Sequence, residues 1–293
     1  METTLDVTDE SKMNESDKLN SQSNLVVPLK KSVESGQPYF TVSGLGGHVI
    51  TFQIVDKFVD DGWKGYGVLY PGFLDETQPG DSMPTIEGYA DRMLKDVVMT
   101  QPKGPYLFVG YSMGGNICLE MARQMKERGE QVGVVLVDVK IYAEAKRKPL
   151  LLRLPTQIYW KLRSYYEAFT GQKAKNTLRK REALLYNGEN MPRVLPESFD
   201  RVIRDGQQAV KNYKLLTTDV PTVLVRCQDM IWYDDNYYWL PDYGWGKYVD
   251  LKAVLSSPGD HISMIKPPNA TLFAKELKRA FSILLGDQKA NSQ

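Results

Sequence analysis

The segment Gly110-Tyr111-Ser112-Met113-Gly114-Gly115 sets a serine between glycines two residues to either side, an arrangement suited to covalent chemistry. A serine hydroxyl is a weak nucleophile at neutral pH. It must project from a tight turn, where an imidazole can take its proton and backbone N–H groups can meet the oxyanion. The flanking glycines remove Cβ atoms that would crowd such a turn. The pattern is short, so its context matters: the apolar run Tyr106 to Val109 precedes it, and Ile117, Met121, Ala122 and Met125 recur at helical spacing over Met113 to Arg128. Strand, sharp turn and helix make a nucleophile elbow with Ser112 at its tip, against the plainer reading of a glycine-rich turn.

The base is limited by count, because the chain has two histidines, His48 and His261. With the nucleophile on such an elbow, the chain order runs nucleophile, acid, base, so the base lies C-terminal to Ser112 and only His261 qualifies. It sits in a loop after the apolar run Leu251 to Leu255 and before a helix expected over Asn269 to Leu285. His48 reads as a cap or surface residue. Two carboxylates could orient the base. Asp138 ends the stretch Val132 to Val137, which reads as a buried parallel strand, and Asp229 follows a second such strand, Thr222 to Arg226. The residues alone leave both open. The N–H after the serine, that of Met113, is one oxyanion donor, and a second comes from the loop after the first core strand.

The segment Gln101 to Gly115, continuing through Glu120-Met121-Ala122-Arg123-Gln124 to Val135-Leu136-Val137-Asp138, resembles the thioesterase family of nonribosomal peptide and polyketide synthases. Val26 to Leu29, Phe40 to Gly47, Tyr66 to Gly72, Gly244-Trp245 and Gly259 to Met264 extend the resemblance to about residues 25–285. It implies an α/β-hydrolase fold with a mostly parallel sheet covered by helices on both faces and an inserted helical lid. It also implies that the acid follows the strand after the elbow helix, which favours Asp138 over Asp229. The oxyanion loop reads Ser43-Gly44-Leu45-Gly46-Gly47-His48, where relatives usually carry a proline before the loop residue. Gly44 is the expected second donor and Leu45 the alternative.

Those residues need a frame. Strands expected at Tyr39 to Val42, Tyr66 to Tyr70, Tyr106 to Val109 and Val132 to Val137 alternate with helices near Val49 to Val59, Ile86 to Met99 and Met113 to Arg128. Such alternation requires a parallel sheet covered on both faces. Thr222 to Arg226 and Tyr248 to Leu255 supply two more strands. Residues 1–24 are polar and acidic and read as a disordered leader, 25–286 as one catalytic domain, and 287–293 as a flexible tail. At 293 residues, with 42% hydrophobic and 25% charged residues, the core needs no staples; Cys118 and Cys227 read as buried thiols. A net charge of +1 suggests neither nucleic acid nor membrane as the main partner. With no apolar signal segment and no span of about 18 apolar residues, a cytoplasmic location follows by default.

An insertion over about residues 141–219 has helical periodicity, aromatics at Tyr159, Trp160, Tyr165, Tyr166 and Phe169, and no clear strand. Its aromatic stripe would either line an acyl channel or pack a helical pair. It is also basic, with Lys173, Lys175, Arg179, Lys180 and Arg181; such charge is either a solvated face or a dock for an acidic carrier protein. Asp229 to Trp245 is dense in aromatics and could touch substrate or pack on itself. The resemblance implies a serine thioesterase that frees an acyl, polyketide or peptide chain from a carrier-protein phosphopantetheine by hydrolysis or cyclisation. No metal or cofactor of its own is expected. A carboxylesterase or lipase on oxygen esters, and a hydrolase-fold binding protein without turnover, are the alternatives. The chain reads as either free-standing or an excised terminal domain.

Overall fold

A computed structural model describes residues 24–30, 35–44, 50–60, 62–71, 85–170, 197–231 and 234–290. Strands β1 (Val26–Pro28), β2 (Gln37–Val42), β3 (Trp63–Val68), β4 (Tyr106–Tyr111), β5 (Val132–Val137), β7 (Pro221–Cys227) and β9 (Asp250–Ser257) form one sheet in the order β1-β3-β2-β4-β5-β7-β9. Only β1 runs antiparallel to its neighbour; every other pairing in this sheet is parallel. All six strands expected from periodicity occur. The one expected at Tyr66 to Tyr70 begins earlier, at Trp63, because it pairs along its whole length with β2 from Gln37 onward.

Every residue of β5 is buried, as a central parallel strand requires. Helices α1 (Ile50–Asp56), α2 (Ile86–Thr100), α3 (Met113–Glu127) and α6 (Ala270–Ala290) cover the sheet. Residues of odd separation on a strand point to opposite faces. A Cβ at Gly133 of β5 would meet Leu284 of α6 at 3.2 Å, and one at Gly115 of α3 would meet Leu136 of β5 at the same distance, so α6 and α3 lie on opposite faces. Phe273, Leu277, Phe281 and Leu284 of α6 are fully buried, each stabilising the fold by about 1.5–3 kcal/mol. Thr85 starts α2 by accepting from the Gly88 N–H at 3.0 Å. Helix α6 passes the expected end at Leu285 because Gly286 keeps helical backbone and does not form the left-handed cap its type suggests.

The expected insertion differs from its sequence reading in one respect. Lys146–Arg147 (β6) pairs antiparallel with Tyr237–Tyr238 (β8), where no strand is expected before Asp219. A two-residue ladder is too short to leave an alternating pattern. Helices α4 (Leu150–Phe169) and α5 (Glu197–Asn212) follow. Tyr159, Tyr165, Tyr166 and Phe169 of α4 are exposed among the described residues. The side chain of Trp160, the basic residues Lys173 to Arg181, the sequence 1–23 and residues 45–49 lie outside the described residues.

Candidate active site

The candidate site is built by three strand ends and one loop. Ser112 follows β4 with φ 55° and ψ −125°, a sparsely populated conformation that costs about 1–3 kcal/mol and persists only when its surroundings impose it. They do so by close packing. A Cβ on Gly110 would lie 2.4 Å from Gly115 Cα, and one on Gly114 would lie 2.2 Å from Val42 O at the end of β2. The Ser112 N–H donates to Val137 O at 3.2 Å, tying the turn to β5. Met113 is the first residue of α3, so its N–H belongs to the helical turn that lacks intrahelical partners. Gly44 is buried beside the serine: its Cβ position is 3.1 Å from Ser112 Cβ and 3.5 Å from Oγ. Leu45 and His48 fall outside the described residues.

Asp138 leaves β5 with φ 47°, a left-handed conformation that aspartate tolerates, while its N–H donates to Val225 O at 2.8 Å. This turn brings the carboxylate back over the sheet edge. Oδ2 lies 2.7 Å from His261 Nδ1, and a carboxylate at that position accepts, so the imidazole carries its proton on Nδ1 and leaves Nε2 for another partner. Oδ1 accepts from the Cys227 N–H and the Tyr243 hydroxyl, each at 3.1 Å. Burial pushes this carboxyl up, but the His261 hydrogen bond and the Lys140 ammonium outweigh it and hold the group below the usual carboxylate range. Asp229 is elsewhere. It is exposed on the surface after β7, with its N–H on Gly259 O, and Asp138 is the carboxylate that meets His261.

The His261 loop is stapled from below. Asp260 Oδ1 accepts from the Ser263 hydroxyl and from the N–H groups of Ile262 and Ser263, at 2.7 to 3.0 Å. The Tyr111 ring stacks on the imidazole at 4.8 Å and its hydroxyl donates to His261 O. Ser112, Met113, Asp138, Lys140 and His261 border one cavity of about 290 Å³, which Gln207 and Val210 of α5 also line.

Four residues around the carboxylate have no role there in the sequence reading. Tyr243 and Trp245, from the aromatic segment, are buried beneath Asp138: Tyr243 donates to it, and Trp245 Nε1 donates to Val139 O at 2.7 Å. Trp239 packs edge-on to Tyr243 and Tyr142, while Tyr238 is exposed and Trp232 and Tyr233 lie outside the described residues. Lys140 and Asp234 are also buried here. Lys140 follows the left-handed turn at Asp138, outside β5, so strand alternation does not mark it. Nothing local marks Asp234.

No helix among the described residues is long and apolar enough to cross a membrane. Residues 38–281 match the family model described as the thioesterase domain. Atromentin synthetase of Tapinella panuoides is 34% identical over 117 residues, 38% of this chain and 11% of that protein. Enterobactin synthase component F of Escherichia coli is 27% identical over 110 residues, 36% of this chain and 8% of that protein. The chain therefore spans a small part of the curated relatives it matches. The NocB thioesterase domain, solved as a covalent complex with a fluorophosphonate nocardicin G analog, superposes with a TM-score of 0.61 at 19% identity, covering 87% of this chain and 99% of that one. That likeness is one of fold.

Proposed function

The chain belongs to the thioesterase domain family, and from that membership we propose that it releases an acyl, polyketide or peptide chain held as a thioester on the phosphopantetheine of a carrier protein. The observation that carries the reading is the 2.7 Å contact between Asp138 and His261 on the wall of the cavity that Ser112 borders from its strained turn. His261 Nε2 removes the hydroxyl proton as Ser112 Oγ attacks the thioester carbonyl. The tetrahedral oxyanion is met by the N–H groups of Met113 and Gly44, with Leu45 as the alternative second donor. Collapse breaks the C–S bond, His261 returns the proton to the departing pantetheine sulfur, and Ser112 is left acylated. Water, or an amine or hydroxyl of the acyl chain itself, then attacks with His261 again as base, giving a free acid or a ring.

Asp138 serves by holding the imidazole in the productive tautomer and by stabilising the imidazolium that forms. The segment over residues 141–219, with helices α4 and α5, is read as the lid of this cavity, since Gln207 and Val210 of α5 are among its lining residues. The test is covalent. A fluorophosphonate should label the wild-type chain on Ser112, and Ser112→Ala should abolish labelling and lower thioester turnover by about four or more orders of magnitude with the fold intact. Persistent labelling at another serine would overturn the assignment.

A further inference from the structure

Lys140 is a lysine with almost no access to water, its side chain 4% exposed, at the rim of the site. Its Nζ donates to Asp138 Oδ2, the same oxygen that faces His261, and lies 3.3 Å from Asp234 Oδ2 and 5.0 Å from the centre of the Tyr243 ring. Asp234 is itself 1% exposed, and its other oxygen accepts the Tyr142 hydroxyl at 2.6 Å. Burial alone would favour loss of the lysine's proton, yet the charge and hydrogen bond of Asp138, together with Cys227 and Asp234, outweigh it here and keep this one charged. Two carboxylates and one ammonium leave the cluster at one net negative charge while His261 is neutral. It becomes neutral overall when His261 takes a proton. Without Lys140, two buried carboxylates would stand uncompensated beside the imidazole and would hold it as imidazolium.

We propose that Lys140 is a positioning residue that acts through Asp138: clamped between Asp138 and Asp234, its ammonium anchors the orienting carboxylate and offsets the second one, so that His261 stays free to accept a proton. The inference rests on the reading of Ser112, Asp138 and His261 given above. The other charged or titratable groups around this cluster are Tyr111 against the imidazole, Asp260 beneath its loop, Cys227 and Tyr243 beside Asp138, and Arg226, whose guanidinium lies 4.6 Å from the Tyr243 ring. Arg226 donates to Pro241 O at 2.7 Å, whereas Lys140 is the cation that pairs with both Asp138 and Asp234.

The test needs no knowledge of the substrate. The rate at which a fluorophosphonate labels Ser112 is followed across about pH 5 to 9, where the acid limb reports loss of the free base. Lys140→Met should move that limb up by about one pH unit, and Asp234→Asn should move it down by about half a unit, because the two remove opposite charges near the imidazole. The double variant should return close to the wild-type position. A purely structural role would lower the amplitude and leave the limb in place, since unfolded molecules do not label. Should Lys140→Met fail to fold, Asp234→Asn and the double variant carry the same comparison. Limbs that stay put, or that move in the same direction in both single variants, would overturn the proposal while leaving Ser112 and His261 intact. A wild-type chain not labelled on Ser112 would overturn the underlying reading, and this proposal with it.

Discussion

The carboxylate of Asp138 accepts from four donors, the Cys227 N–H, the Tyr243 hydroxyl, His261 Nδ1 and Lys140 Nζ. A buried carboxylate with that many partners is held in one rotamer, which is what orienting an imidazole demands. Asp138→Asn keeps the shape but presents a donor to a donor on one side and forces the wrong tautomer on His261. Thioester turnover should fall by about three to four orders of magnitude. Asp229→Asn, at an exposed position, should stay within about twofold of wild type. Steady-state kinetics on a synthetic pantetheine thioester checks both, and a reversed pair of results would relocate the acid to Asp229.

At the scale of elements, the elbow is set by how closely α3 is pressed on the end of β2. The N-terminus of α3 meets backbone oxygens of Val42 and Ser43, and backbone cannot swing aside as a side chain can. Gly114→Ala should therefore separate helix from strand, destabilising the fold by about 3 kcal/mol and lowering the unfolding temperature by several degrees in a thermal melt. Gly44→Ala differs in kind. Its Cβ would meet Ser112 Cβ at 3.1 Å, a contact that a shift of the serine by a few tenths of an ångström relieves, so the melt should change little while fluorophosphonate labelling slows by about tenfold or more. Glycine pairs around a serine are readable in sequence. The partner they make room for, the end of β2, is not, because that contact is created by the order of strands in the sheet.

For the whole molecule, the proposed carrier-borne thioester requires a surface on which its carrier would dock. The basic run Lys173, Lys175, Arg179, Lys180 and Arg181 is the feature suited to an acidic carrier. If it steers docking, reversing three of these residues to Glu should raise the apparent Michaelis constant for a carrier-bound thioester, and the wild-type value should itself rise with salt. A small soluble thioester should be unaffected. Equal loss on both substrates would return these residues to a solvated face.

Periodicity and turn chemistry are local properties, and what depends on them was legible in the chain: the alternation of strand and helix, the elbow at Ser112, the burial of Cys118 and Cys227, and His261, singled out because only one histidine follows the serine. The choice between Asp138 and Asp229 was different. Both end apolar strands, and only the left-handed turn at Asp138 and the return of a loop 123 residues further on bring one of them to His261. Lys140 and Asp234 belong to the same class, as does Tyr243. Their meeting beneath the carboxylate is decided by the register of β5 against β7 and by the path of the aromatic segment after β7. Contacts between residues far apart in sequence carry no local pattern, so tertiary structure alone decides which buried charges face one another.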